Sequence, residues 1–241
     1  MSEDTPVCRG VDLTRTFAGV PVVEAVSIDV SPGTLTAIIG PNGSGKSTLL
    51  RMLTGLLTPT TGEVVRPETL GYLPQRPAFR PGFTARETLE FYARLAGIEP
   101  GPAANQALGV VGLSAAADRR VEALSGGMTG LLGLAQAFIG QPPLVVLDEP
   151  ATGLDPGIRR HIFDIIGAQR DAGTGVLIAS HDLELVEDYA DGVVVLETGR
   201  LVAEGSPAAL CDHYGVSSLE DVFDTAIEHD PTSIEVRGVE P

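Results

Sequence analysis

The stretch GPNGSGKST, residues 40–48, decides the fold of this chain. Its residues are Gly40, Pro41, Asn42, Gly43, Ser44, Gly45, Lys46, Ser47 and Thr48. They match G-x-x-x-x-G-K-[ST], in which glycines let the backbone curl until successive N–H groups point at one phosphate. Lys46, the only lysine in the chain, supplies a charge for the β- and γ-phosphates, and Ser47 offers a hydroxyl to Mg²⁺. The pattern predicts a nucleotide-phosphate site.

The residues around this loop separate a phosphate site from an ordinary glycine-rich turn. Residues 35–40, LTAIIG, are typical of a buried strand, and residues 49–53, LLRML, of a helix. Similar apolar runs recur at 144–148 and 176–180. Runs of this kind are typical of strands buried on both faces, so we predict an α/β fold with parallel strands. Residues 192–205 predict a hairpin that turns at Thr198-Gly199.

Between Pro77 and Leu124 the strand signals vanish and helical patterns dominate. Thr84 and Glu87 form a predicted capping box at the start of one helix. We therefore expect one domain over residues 1–225 with an inserted helical subdomain at about 77–125. Residues 226–241 are acidic and lack periodicity towards their end, which predicts a loosely structured tail.

The composition limits the class of protein. The 241 residues are 43% hydrophobic, enough for one domain with a sizeable core. The two cysteines, Cys8 and Cys211, are far apart, which excludes a disulfide framework and indicates a reducing compartment. The N-terminus lacks the apolar stretch of a signal peptide, and no apolar run approaches membrane-spanning length. The net charge of −16 argues against a nucleic-acid partner, which it would repel.

A second site lies at the end of another predicted strand. Residues 144–148, LVVLD, lead directly into Glu149. Ligands of open α/β sheets bind at the carboxyl ends of strands, so Asp148 is a candidate ligand of Mg²⁺. Glu149 is then the candidate that polarises an attacking water. An ordinary strand-to-loop exit, where acids are common, is the alternative for both residues.

Residues 124–128, LSGGM, lie shortly before this strand, and with them the chain begins to resemble the ATP-binding subunits of ATP-binding cassette (ABC) transporters. The resemblance runs from about Val7 to Phe223, with the motifs in the family's order. It implies a P-loop NTPase core with a mixed sheet, formed by a parallel core plus an antiparallel β subdomain, and the inserted helical subdomain. It also implies ATP and Mg²⁺ as cofactors.

The resemblance gives roles to the two sites described above. Residues 40–48 are similar to the Walker A motif. Asp148 and Glu149 are similar to the Walker B aspartate and the catalytic glutamate. Gln75, in LGYLPQ, is similar to the Q-loop glutamine, which contacts Mg²⁺ in this family.

Further motifs resemble parts of the family's site, and each has a plainer alternative. Ser125, Gly126 and Gly127 resemble the signature motif, but Ser125 is also a good helix N-cap. Asp155 resembles the end of the D-loop, and it too can cap a helix. His181 resembles the switch histidine that senses the γ-phosphate, although a single histidine is commonly an ordinary surface or core residue.

Three further features bear on the resemblance. Phe17 lies where the family often places an aromatic ring against adenine, and simple packing is the alternative. The residues after the signature motif lack the family's usual glutamine and basic side chains, which puts contacts made by those side chains in doubt. The methionine in LSGGM and the stretches 70–98 and 218–223 resemble the exporter-like branch.

The resemblance implies a working unit larger than one chain. In the family, a Walker A motif faces a signature motif only across a head-to-tail dimer. One site would combine residues of both subunits: Lys46, Ser47, Gln75, Asp148, Glu149 and His181 from one, with Ser125, Gly127 and Asp155 from the other. We expect a homodimer in the cytoplasm, bound to the inner face of the cell membrane through a separate integral membrane permease.

Three alternative functions remain open at this stage. A soluble ABC ATPase of DNA repair would need a basic surface and a long insertion, which the chain lacks. A cytosolic assembly ATPase, for example in iron–sulfur cluster biogenesis, carries the same motifs without a permease. A degenerate nucleotide-binding module without turnover fits the unusual signature helix but not the presence of Glu149 and His181.

Overall fold

The computed structural model describes residues 5–228. The elements follow one another in this order: β1 (Cys8–Phe17), β2 (Val20–Val30), β3 (Leu35–Ile39), α1 (Lys46–Leu53), β4 (Thr61–Val65), β5 (Gly71–Leu73), α2 (Ala85–Leu95), α3 (Pro100–Val110), α4 (Gly126–Ala137), β6 (Leu144–Asp148), α5 (Pro156–Asp171), β7 (Gly175–Ala179), α6 (Leu183–Tyr189), β8 (Gly192–Glu197), β9 (Arg200–Gly205), α7 (Pro207–Tyr214) and α8 (Leu219–Glu228).

Two sheets form the framework. The larger has the strand order β5-β6-β7-β3-β8-β9, in which β5 to β8 are mutually parallel and β9 pairs antiparallel with β8. The smaller is antiparallel and has the order β2-β1-β4. The predicted mixed α/β fold, with its parallel core and antiparallel β subdomain, is confirmed, and so is the hairpin of β8 and β9.

The larger sheet is buried on both faces because its strands alternate between two apolar clusters. In β6, Val145 and Leu147 belong to one cluster, and Leu144 and Val146 to the other. The first cluster contains residues of α2 to α8, and the second contains residues of α1 and of the smaller sheet. Continuous apolar strands follow from this arrangement, since neither face meets water. The strand ends can then carry polar residues.

The chain between β5 and β6 is helical, as its pattern predicts. The capping box of α2 is present, with the Thr84 side chain accepting the Glu87 N–H and the Glu87 carboxylate accepting the Thr84 N–H. Helix α4 packs against α2, α3 and β5. Gly133 permits this approach, because an added Cβ would lie 2.6 Å from Cδ1 of Leu73.

The C-terminal boundary differs from the prediction. Residues 226–228 were expected in the tail but belong to α8. The reason is an apolar stripe on this helix, in which Leu219, Val222 and Ala226 are buried in the core. The remainder of the predicted tail, residues 229–241, lies outside the described residues. Within residues 5–228, no helix has the length and apolar character needed to cross a membrane.

The contact between β5 and α4 gives a test of the packing. An added Cβ at Gly71 would lie 1.8 Å from the carbonyl oxygen of Ala137. We expect Gly71→Ala to lower the free energy of unfolding by about 1–3 kcal/mol, because two backbones must separate. Gly109→Ala is the matched control, since its Cβ would meet no atom within 4 Å and helix propensity would stabilise α3 by up to about 1 kcal/mol. Denaturant unfolding of both variants measures the difference, and equal midpoints would contradict the packing.

Candidate active site

The loop between β3 and α1 has the backbone of a phosphate cradle. Gly40, Gly43 and Gly45 have φ values of 159°, 85° and 99°. An added Cβ at Gly40 would lie 2.1 Å from the carbonyl oxygen of Leu196, so this position requires glycine for space as well as for φ. Helix α1 begins at Lys46 with no side-chain cap on its first N–H groups. Such a helix N-terminus favours an anion.

Two polar side chains of the loop, those of Ser44 and Lys46, are buried. The Lys46 side chain donates from Nζ to the carbonyl oxygens of Gly40 and Pro41, at 2.7 and 3.0 Å. Burial lowers the pKa of Lys46, so the folded chain makes its positive charge costly. The Ser44 Oγ is buried and has no hydrogen-bond partner. A bound phosphate would satisfy both groups.

The end of β6 lies against the start of α1. Ser47 donates from Oγ to Oδ1 of Asp148 at 3.0 Å, and Asp148 is 1% exposed. Burial raises the pKa of Asp148, against the opposing effect of its hydrogen bond with Ser47. Hydroxyl and carboxylate oxygens are ligands that Mg²⁺ prefers, and Mg²⁺ usually completes its shell with water and substrate phosphates. The Ser47 hydroxyl and the Asp148 carboxylate therefore fit a magnesium ion that is bound together with a nucleotide.

The next residue, Glu149, pairs with His181. The Nδ1 atom of His181 lies 2.6 Å from Oε2 of Glu149, and the hydroxyl of Thr152 donates to the same Oε2 at 3.0 Å. An ionised carboxylate only accepts hydrogen bonds, so Nδ1 carries the proton and Nε2 is left for another contact. The Glu149 side chain is 9% exposed and that of His181 is 62% exposed.

Glu149 also has an unusual backbone. Its φ is +55°, in the left-handed region that side chains other than glycine rarely adopt. A hydrogen bond from its N–H to the carbonyl oxygen of Ala179 holds it beside β7, at 3.0 Å. Conformations of this kind cost about 1–3 kcal/mol and are concentrated at functional sites.

Two cavities meet around these groups. The larger, about 410 Å³, is lined by Gly40, Pro41, Asn42, Gln75, Glu149, Thr152, His181, Leu183 and Phe223. The smaller, about 260 Å³, is lined by Val22, Asn42, Gly43, Gly45, Lys46, Ser47, Thr48, Gln75 and Glu149. Asn42, Gln75 and Glu149 line both, so the two cavities adjoin between the loop, the Gln75 segment and the acidic strand end.

The residues of the predicted signature motif lie outside these two cavities. Ser125 caps α4 by accepting the N–H of Met128 at 3.3 Å, which is the capping alternative named above. Gly126 lines a third cavity, of about 400 Å³, which Gln75 and Glu149 also line. Asp155 occupies the N-cap position of α5, as expected, but its side chain makes no capping hydrogen bond. Its carboxylate is therefore not used by its own helix.

Phe17 ends β1 and lines neither cavity around the loop. Its side chain is 43% exposed, and the guanidinium of Arg15 lies 4.6 Å from its ring centre. Val22, on the neighbouring strand β2, does line the smaller cavity. The ring is accessible for stacking, with one face already covered by a cation.

Some residues of the site were not predicted. Thr152 contacts Glu149 directly, and its place three residues after Glu149 in the short loop before α5 was a signal for it. Leu183 and Phe223 line the larger cavity from α6 and α8. Phe223 was part of a stretch quoted for its family resemblance, but nothing in its own pattern pointed to the nucleotide site.

Comparisons with known proteins were made with the whole chain. A family model described as ABC transporter matches residues 23–152, more than half of the 241 residues. The Nod factor export ATP-binding protein I of Rhizobium etli is 36% identical over 216 residues, covering 83% of this chain and 68% of that protein. The linearmycin resistance ATP-binding protein LnrL of Bacillus subtilis is 30% identical over 239 residues, covering 90% and 77%.

Comparison with solved structures also finds an ATP-binding subunit of an ABC transporter and an ATP-binding cassette. An ATP-binding subunit of an ABC transporter superposes with a TM-score of 0.84 at 26% identity, covering 92% of this chain and 99% of that one. A dimeric ATP-binding cassette in a post-hydrolysis state, bound to ADP and Pi, has a TM-score of 0.76 at 23% identity, covering 83% and 98%. The latter likeness concerns the fold alone. The resemblance found in the sequence is confirmed: the chain belongs to the ATP-binding subunits of ABC transporters and is an ABC-type ATPase.

Proposed function

We propose that two copies of this chain close head to tail around two molecules of ATP, and that hydrolysis drives a separate membrane permease. One observation supports the proposal: Ser47, which is hydrogen-bonded to Asp148, and Glu149, which contacts His181, line the same cavity at the phosphate loop. Residues 1–225 would form the ATPase domain, with the segment at about 77–125 as its helical subdomain.

The phosphate loop would bind the nucleotide. Backbone N–H groups of residues 40–48 would surround the phosphates, and Lys46 Nζ would exchange its two carbonyl partners for β- and γ-phosphate oxygens. Phe17 would stack on the adenine with its accessible face. Ser47, Asp148 and Gln75 would hold Mg²⁺, directly or through water, and the ion would neutralise charge on the phosphates.

Glu149 and His181 would carry the chemistry. The contacts from His181 and Thr152 both use Oε2 of Glu149. Oε1 can therefore accept a hydrogen bond from the attacking water and orient it towards the γ-phosphate. Nε2 of His181, which points away from the contact with Glu149, would meet the terminal phosphate.

The second copy would complete the site. The free N–H groups at the start of α4, with Ser125, Gly126 and Gly127, would face the γ-phosphate bound by the partner copy. The uncommitted carboxylate of Asp155 would lie at the same junction. Loss of the γ-phosphate after hydrolysis would remove contacts to both copies and let the dimer open, which is the movement that a permease could use.

The relatives support a transporter of the export type. One relative is named for export of Nod factors and another for resistance to linearmycin. We infer a location on the inner face of the cell membrane through the permease. A role in cytosolic assembly without a permease is the competing function.

A paired experiment tests the proposal. We expect the purified chain to hydrolyse ATP with MgCl₂ and to stop with excess EDTA, because EDTA would remove the ion that neutralises charge on the phosphates. We also expect the chain tagged in its own host to purify from detergent-solubilised membranes with an integral membrane protein of stoichiometric amount. Recovery from the soluble fraction without such a partner would favour the assembly function, and absence of hydrolysis would refute the ATPase mechanism.

A further inference from the structure

Asp182, the residue after His181, fixes the loop that carries His181 through two hydrogen bonds. Asp182 is the N-cap of α6, where its Oδ1 accepts the N–H of Leu185 at 3.4 Å. Its own N–H donates to Oγ of Ser180 at 3.1 Å. The Asp182 side chain is only 12% exposed, so its charge is poorly hydrated.

Arg159 supplies the opposite charge from another helix. It lies in the first turn of α5, where its N–H donates to the carbonyl oxygen of Asp155. Its guanidinium donates from Nη1 to Oδ2 of Asp182 and forms an ion pair with it. Asp182 thus uses one oxygen for α6 and the other for α5. This contact joins the end of the Asp155 loop to the loop of His181.

Arg159 lies close to the reacting groups without touching them. A cavity of about 90 Å³ is lined by Arg159, Asp182, His181 and Glu149 among others. Among the described contacts, none joins Arg159 to Glu149 or to His181, and its Nε is buried without a partner. Any influence on the Glu149–His181 pair therefore passes through Asp182 or through the charge balance of this cavity.

The negative charge of Asp182 can compete with that of Glu149 for interaction with the His181 side chain. The carboxylates of Glu149 and Asp182 line the same cavity of about 90 Å³ as the imidazole, so the charge of Asp182 acts on His181 at short range. With Arg159 in place, Oδ2 of Asp182 is engaged, and Glu149 is the acceptor that His181 uses. Without Arg159, a poorly hydrated and unneutralised charge would remain in the cavity that the imidazole also lines, and it would attract the imidazole away from Glu149.

We propose that Arg159 is a positioning residue for hydrolysis: by neutralising Asp182, it keeps His181 paired with Glu149. The catalytic part of this inference rests on the proposed function, whereas the pairing itself can be observed without nucleotide. The arrangement also connects the loop ending at Asp155, which would face the partner copy, to the histidine of the same chain.

The test compares the full chain with four variants: Arg159→Met, Arg160→Met, Arg159→Met with Asp182→Asn, and Arg159→Gln. Arg160→Met is the matched control. Arg160 joins α5 to α6 through exposed ion pairs with Glu184 and Asp188, both at 3.5 Å, and is not among the residues that line the cavity beside His181. The side-chain ¹⁵N signals of His181, assigned with His181→Gln, report its tautomer in the nucleotide-free protein.

We expect Arg159→Met to shift these signals and to lower kcat by about 10–100-fold, because small displacements of reacting groups cost this much. The KM for ATP should stay within about twofold, because Lys46 and its loop are untouched. The double variant should restore the His181 signals and most of kcat, since it removes the competing charge. A residue that only held the two helices together would show no such rescue.

Other results would overturn the proposal. His181 signals in Arg159→Met that match those of the wild type, or that change equally in Arg160→Met, would refute the positioning role. If Arg159→Met does not fold, Arg159→Gln gives the same readout, because it keeps a hydrogen-bond donor but not the charge. An inactive wild-type chain whose His181 signals still respond as expected would refute the proposed function and leave the pairing argument standing.

Discussion

Glu149→Gln is expected to leave ATP bound and to slow its hydrolysis by about 10²–10⁴-fold, the usual contribution of a positioned general base. Glutamine has nearly the same shape, and its side chain can still contact His181 and Thr152. It cannot take up a proton from the attacking water. The nucleotide pocket should therefore stay intact while the chemical step stops.

The stalled variant also reports on the dimer. With ATP and Mg²⁺ present, Glu149→Gln should accumulate as a dimer in size-exclusion chromatography, because the γ-phosphate that would join the two copies of the proposed dimer is not removed. Glu63→Gln is the control, since it makes the same chemical change at an exposed position of β4. Turnover of Glu149→Gln equal to that of Glu63→Gln would remove Glu149 from its proposed role.

Lys46→Ala should weaken nucleotide binding by about 10–100-fold, which corresponds to the loss of hydrogen bonds to a charged group worth about 1.5–3 kcal/mol. The effect should exceed that of removing an ordinary surface cation, because Lys46 is buried and its pKa is lowered by that burial. A phosphate bound in the loop would offset the unfavourable burial of the Lys46 charge, and alanine has no charge for the phosphate to interact with. Titration with a fluorescent ATP analogue measures the affinity.

Arg94→Ala is a suitable control for Lys46→Ala. It also removes one positive charge, from an exposed ion pair with Glu90 on α2. Because Lys46 is the only lysine, an amine-reactive label followed by mass spectrometry gives a second measurement, in which ATP should protect Lys46 but not the N-terminal amine. Wild-type affinity in Lys46→Ala would show that the loop is not the phosphate site.

The local signals of the sequence predicted the framework well. The apolar runs at β3, β6 and β7 are buried on both faces, as their composition required, and the capping box of α2 formed from its own four residues. The pairing of Ser47 with Asp148 was also accessible in part, because carboxyl ends of parallel strands meet at one edge of a sheet.

The remaining features depend on contacts between distant elements. Phe223 lies on α8 and lines the larger cavity together with His181. The local sequence around Phe223 did not predict this position, because its helical spacing is equally typical of ordinary core packing. The same holds for Arg159 and Asp182, which lie 23 positions apart and meet only because α5 and α6 are adjacent in space. The end of α8 was misjudged for a related reason, because the apolar stripe that ends at Ala226 was given less weight than the acidic sequence after it.

The left-handed backbone of Glu149 sets stability against activity at one position. Glycine and asparagine adopt this conformation at little cost, whereas glutamate does so at about 1–3 kcal/mol. A search for heat-resistant variants that ignored turnover would therefore be drawn to glycine or asparagine at residue 149, and each would discard the carboxylate. Engineering of a more heat-stable ATP-binding subunit from this chain would have to keep Glu149 and raise stability through substitutions at other positions.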